Sequence, residues 1–363
     1  MATVHPGDQG DVEPALAAWL HDAMPDTTLR APIESPGDGL STFIWFFEPT
    51  GDHLPPAWER PLVLRIFSTP TAGPFAQSEA DVHAYVRRHR YPVPGILHVE
   101  TDADRSPFGL PFVVMSRAPG RVMLRLATAQ PWRMPRLLRS LGVAHEQLHR
   151  MEIDDDCPLR YDSPLVQRRL ADLTKKIDDG GHDDARPGLA WLNAHTEMVQ
   201  NETPAFLHND FHPLNVLVDS SARRGAPGNG LVVIDWSDAS LGDAHHDVAR
   251  SLAVFRVAAI AANNPAERVL LERLHPWMAR TYLSAYESAR ASPLDSERLR
   301  YWQALHVLRG WLQVCEIHEP PPWAAERTLT ALAAQVPARF GDELLAWFDE
   351  LTRVGVTGAP TRK

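Results

Sequence analysis

The sequence predicts an α+β chain of two lobes, a small N-terminal lobe built on antiparallel strands and a larger, mainly helical C-terminal lobe. Three observations carry this. Short strand-like runs come in two pairs within the first 117 residues, and a break at Ala118, Pro119 and Gly120 follows them. Beyond the break helical spacing dominates, interrupted by one further strand pair around Val216–Val218 and residues 231–234. A chain of 363 residues is long enough for two or three compact units, or for one fold with two lobes, here placed at 1–117 and 118–363.

The elements follow in order. Residues 14–24 carry a short helical pattern, and residues 34–39 supply a turn rich in Gly, Pro and Asp. Residues 41–47 and 61–67 are aromatic, β-branched or otherwise apolar and read as two strands that pair. In the second of them, period-two alternation sets Val63, Arg65 and Phe67 on one face. Residues 74–89 mix charges with Phe75, Ala80, Val82 and Val86, a helix stopped by Pro92 and Pro94. Residues 96–100 and 111–115 flank a polar turn and form a second hairpin. Leu137, Leu138, Leu141, Leu148 and Met151 then follow helical spacing, as does most of 240–355, while 220–230 reads as a hairpin tip.

Composition narrows the partners. Hydrophobic residues at 44% and charged residues at 23% suit a chain folded nearly throughout. A formal net charge of -10 argues against a nucleic-acid backbone, which needs a basic face. Cys157 and Cys315 stand far apart without CxxC spacing, so neither a disulfide framework nor a cysteine metal site is expected, and a reducing cytoplasm is the expected compartment. No leader or membrane span is expected either, because Asp8, Asp11 and Glu13 occupy the N-terminal stretch and Arg250 and Arg256 interrupt the most apolar later segment.

The strongest chemical signal is the string from His208 to Asn215, of the form H-x-D-x-x-x-x-N, which runs straight into an apolar strand. A returning strand then ends on Asp235. Phosphoryl transfer asks for such a set: one carboxylate to orient the attacking hydroxyl, and oxygen ligands to hold magnesium on a triphosphate. Asp210 fits the catalytic base, and Asn215 and Asp235 fit the ligands of Mg2+, a hard cation content with few protein oxygens. Alone, the string could be an Asx-rich turn; the strand, hairpin and second acid that follow argue for the site.

Residues 206–252 resemble the aminoglycoside phosphotransferase family, small-molecule kinases with a protein-kinase-like fold. The stretches HNDFHPLNVLVD and VVIDWSDASLGDAHHDVARSL match that family's catalytic loop and metal-binding segment, and weaker matches at Leu64 with Arg65, Glu79, Met115 with Gly120, and Leu148 with His149 extend the likeness over residues 35–255. The resemblance implies a bilobal kinase fold and ATP or GTP as phosphate donor. It also implies that Arg65 grips the phosphates while Glu79 holds Arg65, with Val63 and Met115 near the base and Ser41 in a loop, residues 37–42, that covers the triphosphate. Asn209 and Leu214 stand where that family commonly has glycine, and Arg65 where lysine is usual. His208 is expected to shape the loop, and Asp243 to cap a helix.

Two other readings are open to the sequence. His145, Glu146 and His149 spell H-E-x-x-H, which on a helix sets two imidazoles on one face for zinc, with the glutamate as a protease base. The longer zincin pattern fails, since Glu152 and Asp155 stand where glycine and a third histidine belong. A non-catalytic nucleotide-binding relative is the other reading, and the intact Asp210, Asn215 and Asp235 speak against it. The acceptor is expected to be a small hydroxylated molecule, an antibiotic such as an aminoglycoside or macrolide, or a hydroxylated metabolite. Residues 264–363 hold 12 acids and 12 Lys or Arg, so no net acidity selects a polycation, and their tryptophans and tyrosines are expected to serve mainly as helix core.

Overall fold

The computed structural model describes residues 4–36, 42–219, 221, 230–318, 336–337 and 339–353. Contacts divide the chain into two compact units: Met1–Arg125 with Asp154–Pro158 and Leu214–Ser237, and Leu126–Ile153 with Leu159–Pro213 and Asp238–Lys363.

In the first unit, α1 (Gln9–Ala23) begins earlier than its sequence pattern suggests, because the Asp8 side chain accepts from the Gly10 amide and caps it; Pro14 lies inside the helix. The strands β1 (Thr28–Leu29), β2 (Thr42–Phe47), β3 (Pro49–Thr50) and β4 (Leu62–Phe67) follow, then α2 (Gly73–Arg88), β5 (Ile96–Glu100) and β6 (Phe112–Ser116). Both expected hairpin pairings form, in an antiparallel sheet of order β2-β4-β6-β5. The β1–β3 ladder escaped the sequence reading, since two-residue strands carry no periodicity.

Alternation along β4 sorts its two faces. Leu62, Leu64 and Ile66 join Val12, Leu16 and Leu20 of α1 in one core, while Phe67, Val113 and Met115 pack with Ala72 and Ala76 in another that Val63 flanks. Because both faces are covered, every β4 residue but Val63 is buried, Arg65 included. The face alternation survives only in which core each residue joins.

Immediately after Gly120, β7 (Arg121–Val122) pairs with β9 (Val216–Val218), which pairs in turn with β10 (Leu231–Val233). Gly120 sits at φ +107, and a Cβ there would meet the Val218 carbonyl oxygen at 2.4 Å, so only glycine lets the two chains approach. The hairpin tip expected over 220–230 lies mostly outside the described residues, as does Ser41.

The second unit carries most of the helices: α3 (Met123–Ala129), whose first turn belongs to the first unit, α4 (Met134–His149), α5 (Leu165–Gly180), α6 (Arg186–Ala194), α7 (Ala244–Ala261), α8 (Pro265–Arg290), α9 (Ser296–His318) and a last described helix, Phe340–Arg353. A two-stranded ladder joins β8 (Pro204–Leu207) to β11 (Ser240–Asp243). Gly142 of α4 abuts α8 so closely that a Cβ would meet the Tyr282 carbonyl oxygen at 2.4 Å. Tyr282, Tyr286, Tyr301 and Trp302 are all buried, as expected of core aromatics, whereas Trp323 lies outside the described residues. Asp243 caps α7 through the His245 amide, as expected, and also accepts from Trp302 Nε1 at 2.7 Å and Arg298 Nε at 2.5 Å. Among the described residues no helix is long and apolar enough to cross a membrane.

Candidate active site

In the first unit, the β4 face that carries Val63 and Phe67 also carries Arg65, and its guanidinium gathers three partners. Nη1 donates to Glu79 Oε1 of α2 at 2.5 Å, Nε to Thr42 Oγ1 of β2 at 3.2 Å, and Nη2 lies 3.3 Å from Asp235 Oδ1. Arg65 and Glu79 side chains are almost wholly buried, while Asp235 keeps 43% of its side chain exposed. The pair is therefore a fixed support, and Asp235 is its open end. Burial pushes the Glu79 carboxyl above its usual range against the pull of Arg65, and Asp235 adds to the rise.

Asp235 follows β10 with φ +65, in the left-handed region that an aspartate adopts only with support. That support is visible. Trp236, buried and donating to the Val233 carbonyl, stands edge-on to Tyr91 and His83, and the Ser237 hydroxyl donates to Asp235 Oδ1. Across the hairpin the Ile234 amide donates to the Asn215 carbonyl at 2.9 Å, so Asn215 and Asp235 stand one residue out of register at the same end of the ladder. Val63 and Met115 are direct partners across β4 and β6. The expected residues of this unit thus form one cluster of Arg65, Glu79 and Asp235, a neighbouring Asn215, and a Val63–Met115 pair on the Arg65 face of the sheet.

In the second unit, the segment after β8 is held by its backbone. The His208 amide donates to Asp247 Oδ2 of α7 at 2.6 Å, the Phe211 carbonyl accepts from Ser251 Oγ, and the Asp210 amide donates to His208 Nδ1 at 3.3 Å. Asn209 lies at φ +63 and its Nδ2 donates to the Asp238 carbonyl and to Ser240 Oγ. The departure from glycine at this position is thereby accounted for: asparagine tolerates the left-handed region and adds an anchor that glycine lacks.

Asp210 keeps 27% of its side chain exposed and is flanked by two partners that the sequence reading missed, a guanidinium and an imidazole. Arg250 of α7 donates to Oδ1 from Nη2 at 2.9 Å and from Nε at 3.2 Å, and His212 Nε2 lies 3.1 Å from Oδ2. Burial alone would raise the Asp210 pKa, but the bond and charge of His212, then Arg250 and His208, outweigh it and hold the carboxyl well below the usual range. A signal for Arg250 did exist, since it stands one helical turn after Asp247, but nothing in the string tied it to Asp210.

Below this segment, His145 and His149 of α4 both turn Nε2 toward Asp247 Oδ2, at 3.1 and 3.3 Å. Burial, with His149 adding to it, lowers the His145 pKa to about 4 against the pull of Asp247. The H-E-x-x-H string does bring its two imidazoles together, but their third partner comes from α7 and the cluster is closed. His145 and Asp247 are fully buried, and Glu146 faces Arg150 of its own helix. A peptide substrate has no way in, so the protease reading falls.

The sequence profile described as "Phosphotransferase enzyme family" matches residues 55–270, more than half of the chain. The chain belongs to the phosphotransferase enzyme family. Its fold is correspondingly that of the kinase-like transferases, a bilobal α+β fold seen in solved structures along nearly their whole length. A protein of Ralstonia eutropha JMP134 described as a candidate aminoglycoside phosphotransferase is 17% identical, with a TM-score of 0.64 over 94% of this chain and 98% of that one. A choline/ethanolamine kinase family protein from Mesorhizobium loti is 15% identical, with a TM-score of 0.58 over 97% and 96%. An amicoumacin kinase in complex with AMP-PNP, Ca2+ and Ami is 15% identical, with a TM-score of 0.55 over 88% and 91%. As a family member this chain is a phosphotransferase, a small-molecule kinase.

Proposed function

We propose that the protein transfers the γ-phosphate of ATP or GTP to a hydroxyl of a small molecule in a Mg2+-dependent reaction, with Asp210 as the residue that orients and deprotonates that hydroxyl. The observation that carries this reading is the buried Arg65–Glu79 pair ending on a half-exposed Asp235, inside a chain that matches the phosphotransferase profile. Glu79 fixes the Arg65 fork so that it can meet phosphate oxygens without losing much freedom on binding. Val63 and Met115 offer an apolar face for the nucleotide base, and Ser41 belongs to the segment that would cover the phosphates.

Asn215 and Asp235 offer oxygen ligands, and Asp235 is open to solvent, a hard donor set of the kind that suits Mg2+. Bound there, the ion would supply neutralising charge at the β- and γ-phosphates. Four residues separate Asn215 from Asp210, a tether that limits their Cα atoms to about 18 Å. Asp210, paired with Arg250 and His212, stays ionised through the neutral range and is a weak base. Its main work is then to accept the acceptor's O–H hydrogen bond and aim the oxygen, with proton transfer late, as a loose transition state allows.

The solved structures of similar fold include proteins described as kinases of choline or ethanolamine, of amicoumacin and of aminoglycosides. Choline, ethanolamine and the aminoglycosides join a hydroxyl to an amine or ammonium group, and we propose that class, antibiotic or metabolite, as the acceptor. Two cysteines without a disulfide fit a cytoplasmic enzyme. The test is Asp210→Ala: turnover should fall roughly 10²- to 10⁴-fold with nucleotide affinity unchanged. Undiminished nucleoside-diphosphate release would remove the assignment.

A further inference from the structure

Asp247 holds the His208 amide, but the proposed reaction gives no task to the two imidazoles, His145 and His149, that turn toward it. We propose that these three side chains form a structural site for a Zn2+-class transition metal, buried beneath the segment that carries Asp210. This proposal does not rest on the function argued above.

One ligand atom from each residue lies within 4.8 Å of the others, and the donors are two imidazoles and one carboxylate, a set borderline-soft metals favour. At ligand distances of about 2.0–2.1 Å, a tetrahedral ion holds its donors about 3.3 Å apart. His145 Nε2 and His149 Nε2 lie 3.1 and 3.3 Å from Asp247 Oδ2.

The independent sign is an orphan. His145 is fully buried, and its Nε2, although 3.1 Å from Oδ2, is poorly aligned for a hydrogen bond; His149 Nε2 reaches the same oxygen at 3.3 Å, and Asp247 Oδ1 has no partner. A nitrogen at hydrogen-bond distance whose ring direction misses the oxygen is what results when both aim at a third point. The outer partners agree. Nδ1 of His145 lies 2.5 Å from the Tyr282 hydroxyl and Nδ1 of His149 2.7 Å from the Tyr286 hydroxyl, so both rings have an oxygen partner that can fix the Nδ1–H tautomer and free the Nε2 lone pair inward. With that tautomer, two lone pairs would face a carboxylate, an arrangement that a cation resolves. Since Asp247 Oδ2 also accepts from the His208 amide, the ion would tie α4 and α7 to the start of the segment bearing Asp210.

The rival arrangement has the tyrosine hydroxyls donating to Nδ1 and both Nε2–H groups donating to Asp247, which closes the cluster without metal. Cobalt decides between them. The full-length protein, stripped of metal and titrated with Co2+, should take up one equivalent with the intense visible absorption of tetrahedral cobalt, bleached by Zn2+. Tyr286→Phe should weaken that binding about 10- to 100-fold, and His149→Gln should abolish it. Asp235→Asn, outside the cluster, should leave the spectrum intact. Should His149→Gln fail to fold, the wild-type spectrum and its loss of affinity in Tyr286→Phe still decide. No cobalt absorption in the wild type, or absorption that survives in folded His149→Gln, would overturn the site.

Discussion

Arg250 is the residue that most changes how Asp210 is understood. A carboxylate that accepts two guanidinium bonds and faces an imidazole is held ionised and correctly aimed, at some loss of basicity. Its folded pKa is depressed, so the pair stabilises the fold above the ordinary aspartate pKa near 4, and that contribution is lost as pH falls through the lower folded value. Arg250→Gln should therefore lower stability at pH 7 by about 1–2 kcal/mol in urea melts. In pH–rate profiles it should move the acidic limb of kcat to higher pH, because Asp210 then titrates closer to its ordinary value. An unmoved limb would mean that Arg250 has no electrostatic hold on the reaction. Asn209 teaches a complementary point at the same scale: its φ of +63 explains both why glycine would serve there and why asparagine does.

Among the elements, α4 and α7 carry the arrangement of the second unit. Gly142 lets α4 close on α8, where Tyr282 and Tyr286 reach back to His145 and His149. Gly142→Ala puts a methyl group 2.4 Å from the Tyr282 carbonyl, so the helices must part; a loss of about 1–3 kcal/mol is expected in thermal or urea melts. The start of α7 depends on Asp243. Burial would raise its pKa, but His245 and then Arg298 and Trp302 hold it at about 2. That depressed value makes its contribution full above pH 4 and lost as pH falls toward 2, so acid unfolding of the wild type should steepen across that window. Asp243→Ala, which also leaves the buried Trp302 Nε1 and the Nε of Arg298 without their acceptor, should unfold at lower urea at pH 7 and show a flatter dependence on pH below 4.

For the whole molecule the expectation is linkage between ligand and fold. Mg2+ with ATP or GTP at about 100-fold excess over its Kd should add about 2.7 kcal/mol to the apparent stability and raise Tm, and Asp235→Ala should remove most of the rise. Much of this protein was legible in its sequence. The paired strands, the H-x-D-x-x-x-x-N string and the Asp235 turn depend on neighbours a few residues away and on alternation along a single strand. The residues that sequence reading missed are those joined across long separations: Arg250 meets Asp210 from 40 residues away, and Tyr282 meets His145 from 137. Periodicity tells which face of a helix is apolar, but not which helix packs against it. That choice, and with it the hold on Asp210 and the closed cluster around Asp247, was made by tertiary packing alone.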